Sequence, residues 1–419
     1  MPAGSPIAGM ARSYRFQPGF FHAFIHLYSC PTATNVPVTM SDYPVINWNE
    51  AEEEISARWR SGSNMPPPRR VLVADDRMTA DAAYHLACEG TALLWRGDFQ
   101  NARQLLQAMA RRANEKPRER KNKKIAATPA ETFHLHRQAQ SRRARILGML
   151  LLPFDADHSI PLRRAPDVRA ACTEAYGTGT EPYIASLREL QGIIGAYEWR
   201  KNGVEIAALG ARIHPHYGVF APIRGEYVRL VAEAPLPAVA PPVAFDIGTG
   251  TGVLAAVLAR RGIERIVATD QDLRALDCAR ENLVRLGLDA QVDLVQADLF
   301  PEGRASLIVC NPPWVPARPA SSLEHAIFDP ESRMLQGFLN GLTAHLAPGG
   351  EGWLILSDFA EHLELRTRAE LLAAIDAAGL KVLGKSDVKP HHPRVSDTSD
   401  PLHAARSAEL TSLWRLMAK

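Results

Sequence analysis

Four short runs in the second half of this 419-residue chain combine residue types and spacings suited to chemistry. Phe245-Asp246-Ile247-Gly248-Thr249-Gly250-Thr251-Gly252 lies between a strand-like run and a helical one. Glycines at 248, 250 and 252 let the backbone approach a ligand closely and leave a helix N-terminus facing it. The spacing is G-x-G-x-G, whereas a dinucleotide fingerprint needs G-x-G-x-x-G, so NAD is disfavoured. Asp270 ends the next strand-like run, 24 residues after Asp246, where a carboxylate can accept both hydroxyls of a ribose. Asp298 ends the third run, in reach of an adenine amino group beside an apolar wall of Leu299 or Phe300. Asn311-Pro312-Pro313-Trp314 directly follows the apolar run 307–310. The Asn311 side-chain oxygen and the Pro312 carbonyl can each accept one N–H of a flat amino group, and proline rigidity holds both acceptors. Trp314 offers a face on which a planar acceptor can stack.

With Asn311-Pro312-Pro313-Trp314 in place, the sequence resembles the class I S-adenosylmethionine-dependent methyltransferases, in particular the subgroup whose fourth strand ends in Asn-Pro-Pro-aromatic. That subgroup includes glutamine amide methyltransferases and the amino methyltransferases of nucleic-acid bases. The resemblance covers about residues 205 to 419. It implies S-adenosyl-L-methionine as cofactor, held by Asp246, Gly248, Gly250, Gly252, Asp270, Asp298 and Leu299. It also implies a catalytic role for Asn311, Pro312 and Trp314, with Pro313, Trp314 and Arg224 toward the acceptor. The segment His216 to Tyr227 resembles the stretch preceding the core in the glutamine subgroup, but Ile223 separates Pro222 from Arg224 where that subgroup has an adjacent pair. The departure weighs against glutamine. Arg224 can meet a cofactor carboxylate, an acceptor phosphate or a surface acid.

The elements that must position these residues alternate. Strand-like runs 243–247, 266–269, 292–296, 307–310 and 352–356 are separated by helical stretches, the rhythm of a mostly parallel, Rossmann-like α/β sheet. Asp272 caps a helix over 273–286 closed by Gly287, and Thr367-Arg368-Ala369-Glu370 opens another closed by Gly379. The prolines at 235, 237, 241 and 242 mark a junction, giving a connecting segment 205–240 and a catalytic domain 241–419. Residues 41–204 read as mainly helical and selective for the substrate. Their predicted elements are a strand 71–74, a helix from the Thr79 cap to about Trp95, a second from Asp98 to about Arg112, and a third from Pro129 to about Leu150. Residues 1–40 are rich in Pro, Gly, Ser and Thr and read as an extension with little fixed structure, Met40 being an alternative start.

Charge and cysteine usage narrow the class. With 46% apolar and 22% charged residues the chain reads as soluble and globular, and its net charge of +2 names no partner by itself. Charge is concentrated locally: residues 111–145 carry 12 Lys or Arg and three Glu, 12 − 3 = +9, which points to phosphate contacts and to RNA. Five cysteines without a CxxC pair, and no spanning apolar stretch, favour a reducing cytoplasm and no membrane. The histidine pairs lack acidic or Cys companions at ligand spacing, so no metal is expected. The sequence therefore predicts an N-methyltransferase acting on an exocyclic base amine in RNA. Its alternatives are a glutamine amide in a translation protein, a small molecule, or an inactive nucleic-acid-binding scaffold.

Overall fold

The computed structural model describes residues 43–62, 65–114, 128–237, 242–319, 324, 326–391 and 397–419. The extension 1–40 and the lysines at 121, 123 and 124 lie outside the described residues.

The N-terminal region is built on a sheet. Strands β1 (Val45–Glu50) and β2 (Glu53–Trp59) form a hairpin through Ala51 and Glu52, both at positive φ, the geometry of a tight two-residue turn. There follow β3 (Arg70–Ala74), α1 (Ala80–Cys88), β4 (Thr91–Trp95), α2 (Phe99–Asn114) and α3 (Pro129–Leu147). Then come β5 (Leu150–Phe154), α4 (Arg169–Tyr176), β6 (Tyr183–Ser186) and α5 (Leu187–Asn202). The six strands lie in the order β1-β2-β6-β5-β4-β3, with β3, β4 and β5 parallel and β6 antiparallel to β5.

Helical residues outnumber extended ones here, yet two predicted helices end early. The Thr79-capped helix stops at Cys88, Gly90 turns the chain at φ +85°, and 91–95 becomes the strand β4. The Thr128-capped helix stops at Leu147, and Leu150–Phe154 becomes β5. Both strands are buried along their whole length, so neither shows the polar alternation that separates a strand from the apolar end of a helix.

The C-terminal region opens with a small antiparallel pair, β7 (Val204–Ile206) and β8 (Ala211–Ile213), and helix α6 (Glu226–Glu233). Its main sheet is assembled from β9 (Val243–Ile247), α7 (Val253–Arg260), β10 (Arg265–Asp270), α8 (Leu273–Leu286), β11 (Val292–Gln296) and β12 (Ala305–Cys310). The chain continues through α9 (Arg333–His345), β13 (Leu346–Ser357), α10 (Phe359–His362), α11 (Arg368–Ala377), β14 (Leu380–Val388), α12 (His403–Ala408) and β15 (Thr411–Ala418). Seven strands run in the order β11-β10-β9-β12-β13-β15-β14, with β15 antiparallel to both neighbours. The caps lie where the sequence puts them: Asp272 accepts from Arg274 N–H, and Thr367 with Glu370 forms a capping box.

The predicted junction at the proline cluster is displaced. Val204, Ile213, Tyr227, Val228 and Val231 are buried in one core with α7 and with Ile266 of β10. Residues 204–213 and 227–234 are thus packed into the C-terminal core rather than linking to it, while Tyr217 between them is buried with the N-terminal core. Prolines interrupt regular structure inside a domain as readily as between domains.

Candidate functional site

Sheet register gathers the predicted residues at one edge. Ile247 of β9 pairs with Thr269 of β10 on one side and with Cys310 of β12 on the other, and Asp270 pairs with Gln296 of β11. The chain therefore leaves the sheet at Gly248, after Asp270, at Ala297 and at Asn311, side by side at the carboxyl ends of parallel strands. From β9 the chain winds outward to β10 and β11 and then returns to β12 on the other side. The crevice between the Gly248 and Asn311 loops is thus a topological switch point, the place where open α/β sheets bind ligands.

The glycine loop is held from below by Asp246, which is 1% exposed. Its Oδ2 accepts from the Thr249 hydroxyl at 2.7 Å and from Ala255 N–H at 3.0 Å, while Oδ1 has no hydrogen-bond partner among the described residues. Burial pushes its carboxyl up to about 6. Gly248, Gly250 and Gly252 have φ of +72°, +56° and +79°. A Cβ on Gly248 would lie 2.7 Å from the Met334 methyl and one on Gly252 would lie 3.1 Å from Ala279, whereas one on Gly250 would meet open space. Gly250 is thus the point where the loop faces outward. Asp270 ties the two loops together, Oδ2 accepting from Gly250 N–H at 3.0 Å and Oδ1 from Asp272 N–H at 3.0 Å. Burial again raises its carboxyl. No protein cation pairs with either carboxylate among the described residues.

Asp298 is placed differently. It is exposed and ion-paired to Arg333 at the start of α9, with Nη2 to Oδ2 at 2.6 Å. The ion pair engages one of the two carboxylate oxygens; sequence spacing located the strand end but had no means of seeing Arg333, 35 residues on. Leu299 adopts φ +82°, its carbonyl accepts from the Thr269 hydroxyl at 2.5 Å, and its side chain faces Gly337.

Beyond β12, Trp314 Nε1–H donates to Asn311 Oδ1 at 2.9 Å, fixing the amide and leaving that oxygen a second lone pair. One face of Trp314 is covered by the Arg224 guanidinium, 4.9 Å from the ring centre. Arg224 is itself held by Glu226 at 2.6 Å and by the buried Glu409 at 3.0 Å, and the Ser357 hydroxyl donates to the same Glu409 oxygen at 2.6 Å. Arg224 is thus ion-paired to two carboxylates. Pro312 is buried and Pro313 half-buried.

Two contributors escape a linear reading. Asp329, 5% exposed, accepts from Met334 N–H and Leu335 N–H, anchoring α9 so that Met334 covers Gly248. Its only sequence signal was an acid a few residues ahead of a helical run. Helix α3, from the basic segment, docks on the loop after Trp314. Phe133 packs with Val315 and Phe328, and Arg137 donates to the Arg318 carbonyl at 2.8 Å and to Glu324 at 3.2 Å. No helix among the described residues is long and apolar enough to cross a membrane. Nor is any group of three or more His, Cys, Asp or Glu among them placed to hold a metal ion.

Residues 213–371 match the family model described as Methyltransferase small domain. That segment is similar to the methyltransferase small domain. Over 145 residues it is 35% identical to ribosomal protein L11 methyltransferase of Pelotomaculum thermopropionicum, covering 34% of this chain and 39% of that protein. Over 121 residues it is 36% identical to release factor glutamine methyltransferase of Cereibacter sphaeroides, covering 25% of this chain and 43% of that protein. The chain spans less than half the length of these curated relatives. A solved methyltransferase from Pyrococcus furiosus is 19% identical with a TM-score of 0.37, covering 54% of this chain and 98% of that one. The matched residues include the glycine loop, Asp270, Asp298, Asn311, Trp314 and Arg224 but not Glu409.

Proposed function

We propose that this chain is an S-adenosylmethionine-dependent N-methyltransferase whose acceptor is an exocyclic base amine in RNA. The observation that carries the reaction type is the position of Asn311, which leaves the sheet beside the glycine loop across the switch point, its side-chain oxygen oriented by Trp314. The crevice suits the cofactor. Gly250 faces open space, Asp270 stands at a strand end where ribose hydroxyls can be accepted, and Asp246 Oδ1 is a buried acceptor without a partner among the described residues.

S-adenosylmethionine supplies an electrophilic methyl on a sulfonium. The protein's work is geometric, because a planar NH2 has its lone pair delocalised and must be held with that lone pair aimed at the methyl carbon. Asn311 Oδ1 and the Pro312 carbonyl accept its two N–H groups and stabilise the positive charge that grows on nitrogen. Trp314 keeps the Asn311 amide in register.

RNA is favoured by helix α3, which joins the basic segment to the Asn311 loop and carries Arg142 and Arg145, with no hydrogen-bond or ion-pair partner among the described residues. Such groups suit phosphates. A cytoplasmic location agrees with such a substrate. A second reading, a glutamine amide in a translation protein, is favoured by the names of the relatives that share the matched region. To separate them, the purified chain would be incubated with methyl-labelled cofactor and a lysate from a strain lacking the gene, followed by RNase, DNase or protease. Label released by RNase is expected. Release by protease alone would replace RNA with the second reading, and no incorporation at all would overturn the enzymatic assignment.

A further inference from the structure

Asn282 of α8 is 1% exposed, and both polar atoms of its amide are engaged. Oδ1 accepts from His214 N–H at 2.7 Å, while Nδ2 donates to the His214 carbonyl at 3.2 Å and to the Thr251 carbonyl at 3.1 Å. The amide thus closes a two-bond pairing with the backbone of His214 and spends its remaining hydrogen on the glycine loop. Only one orientation of the amide serves these partners, because turning it would set its oxygen against two carbonyls. Thr251 is 2% exposed, so its carbonyl has no water to fall back on if Asn282 is removed. The loop also touches α8 at a second point, since a Cβ on Gly252 would lie 3.1 Å from Ala279, three residues before Asn282.

His214 begins a strap, residues 214–219, that runs between the two halves of the chain. On one side it lies against α8: Cys278 Sγ accepts from His216 N–H at 3.3 Å, and Val219 is buried with Ala275 and Cys278. On the other side Tyr217, 3% exposed, is buried in the N-terminal core that includes Leu190 and Ile193 of α5. Arg200 near the end of α5 reinforces the seat, bonding Glu281 of α8 at 2.8 Å and pairing with Glu174 of α4 at 3.1 Å. The strap is therefore clamped between α8 and the N-terminal core. Asn282 joins it directly to the glycine loop.

We propose that Asn282 is a positioning residue that sets the glycine loop for the cofactor and couples it to the strap seated in the N-terminal core. The inference rests on the reading of the glycine loop as the cofactor's cradle. Three glycines at positive φ give that loop great conformational freedom, so its shape depends on bonds from outside it. The Asn282 bond fixes Thr251 between the outward-facing Gly250 and Gly252, where α7 begins. Coupling of this kind is reciprocal: a strap that favours the loop's binding shape is itself held more firmly once the ligand is bound.

Amide hydrogen exchange of the full chain, with and without S-adenosylmethionine, tests this together with calorimetric titration of the cofactor. In the ligand-free protein Asn282→Ala should speed exchange at Gly250 and Gly252, whose N–H groups bond Asp270 and the Thr249 carbonyl, and should weaken cofactor binding by roughly 10-fold. In the parent, cofactor should slow exchange at His216 and Val219 of the strap, whose N–H groups bond Cys278 and the His216 carbonyl. That protection should vanish in Asn282→Ala. Tyr217→Leu, which loosens the seat in the N-terminal core, should speed the same glycine-loop amides, and parental exchange there would overturn the coupling. Asn282→Ser, too short to reach Thr251, serves if the Ala variant does not fold. A folded Asn282 variant with lower Tm but parental loop exchange and cofactor affinity would make the residue purely structural and overturn the proposal, as would failure of both variants to fold. Strap amides indifferent to cofactor in a parent that binds it would overturn it too. A parent that binds no S-adenosylmethionine would sink the cofactor reading instead, while loop exchange in the ligand-free variants would still decide whether Asn282 sets the loop.

Discussion

Two carboxylates, Asp98 and Asp246, stand just beyond or at the carboxyl ends of parallel strands in the two halves of the chain, and their fates are opposite. Asp98 follows β4 and is buried, but Arg163 and Arg164 both donate to its Oδ2, at 2.9 and 2.7 Å, and Gln100 N–H to its Oδ1. The two guanidinium groups hold its carboxyl down to about 2. Asp246, next to last in β9, is equally buried, is met among the described residues only by a hydroxyl and an N–H, and is pushed up to about 6. The N-terminal edge is closed by its own ion pairs. The C-terminal edge keeps carboxylates that no cation among the described residues neutralises, and an oxygen without a partner among them, beside the outward-facing Gly250, the condition of a site that waits for a ligand.

Substitutions on the open edge should cost chemistry, and those on the closed edge stability. The largest effect is expected for Asn311→Ala, a loss of roughly 10²–10³-fold in methyl transfer at nearly unchanged cofactor affinity, because the group acts on charge that develops in the transition state. Asn311→Asp keeps an acceptor oxygen and should lose less. Labelled-methyl assays alongside cofactor titration would read both, and an Asn311→Ala protein turning over at the parent rate would remove the amine grip from the open edge. Next in size, Asp270→Ala should weaken cofactor binding by roughly 10–100-fold, as expected for deleting charge-assisted hydrogen bonds. Asp98→Asn should leave that affinity unchanged and lower the Tm. Equal losses of affinity in the two variants would erase the contrast between the edges.

The two acids also predict opposite pH profiles of stability. Asp98, depressed in the folded state, contributes stability above the ordinary value of about 3.9 that is lost as pH falls toward 2. Asp246, raised, binds its proton more tightly when folded, so stability falls as pH rises from about 4 through about 6. In Tm-against-pH series, Asp98→Asn should therefore remove the acid-side decline and Asp246→Asn the decline between pH 4 and 6. Slopes unchanged in both variants would show that neither burial pattern governs titration. The smallest effect concerns helix α3: changing Arg142 and Arg145 to Ala should flatten the log–log salt dependence of RNA binding by about 0.7 per lost single-strand contact. An unaltered slope would make the basic face of α3 a solvated surface.

Much of the open edge was legible because its signals are local. Three glycines in five residues, a carboxylate closing the next strand-like run, and Asn-Pro-Pro-Trp after an apolar run each report a backbone conformation that neighbouring residues largely decide. So do Asp272 and Thr367 with Glu370, whose capping bonds span two or three residues. What the linear pattern left open depends on partners far away in the chain. Arg224 is claimed by Glu409, 185 positions on, and Asp298 by Arg333, while Arg137 reaches Arg318 and Glu324. β4 and β5 became strands because each is flanked by strands on both sides and buried on both faces, a circumstance apolar composition does not encode. Composition, caps and glycines determined which backbone shapes this chain can form. Tertiary packing decided which charged groups are spent on each other and which remain for a ligand, because pairing and desolvation act through space across the whole chain.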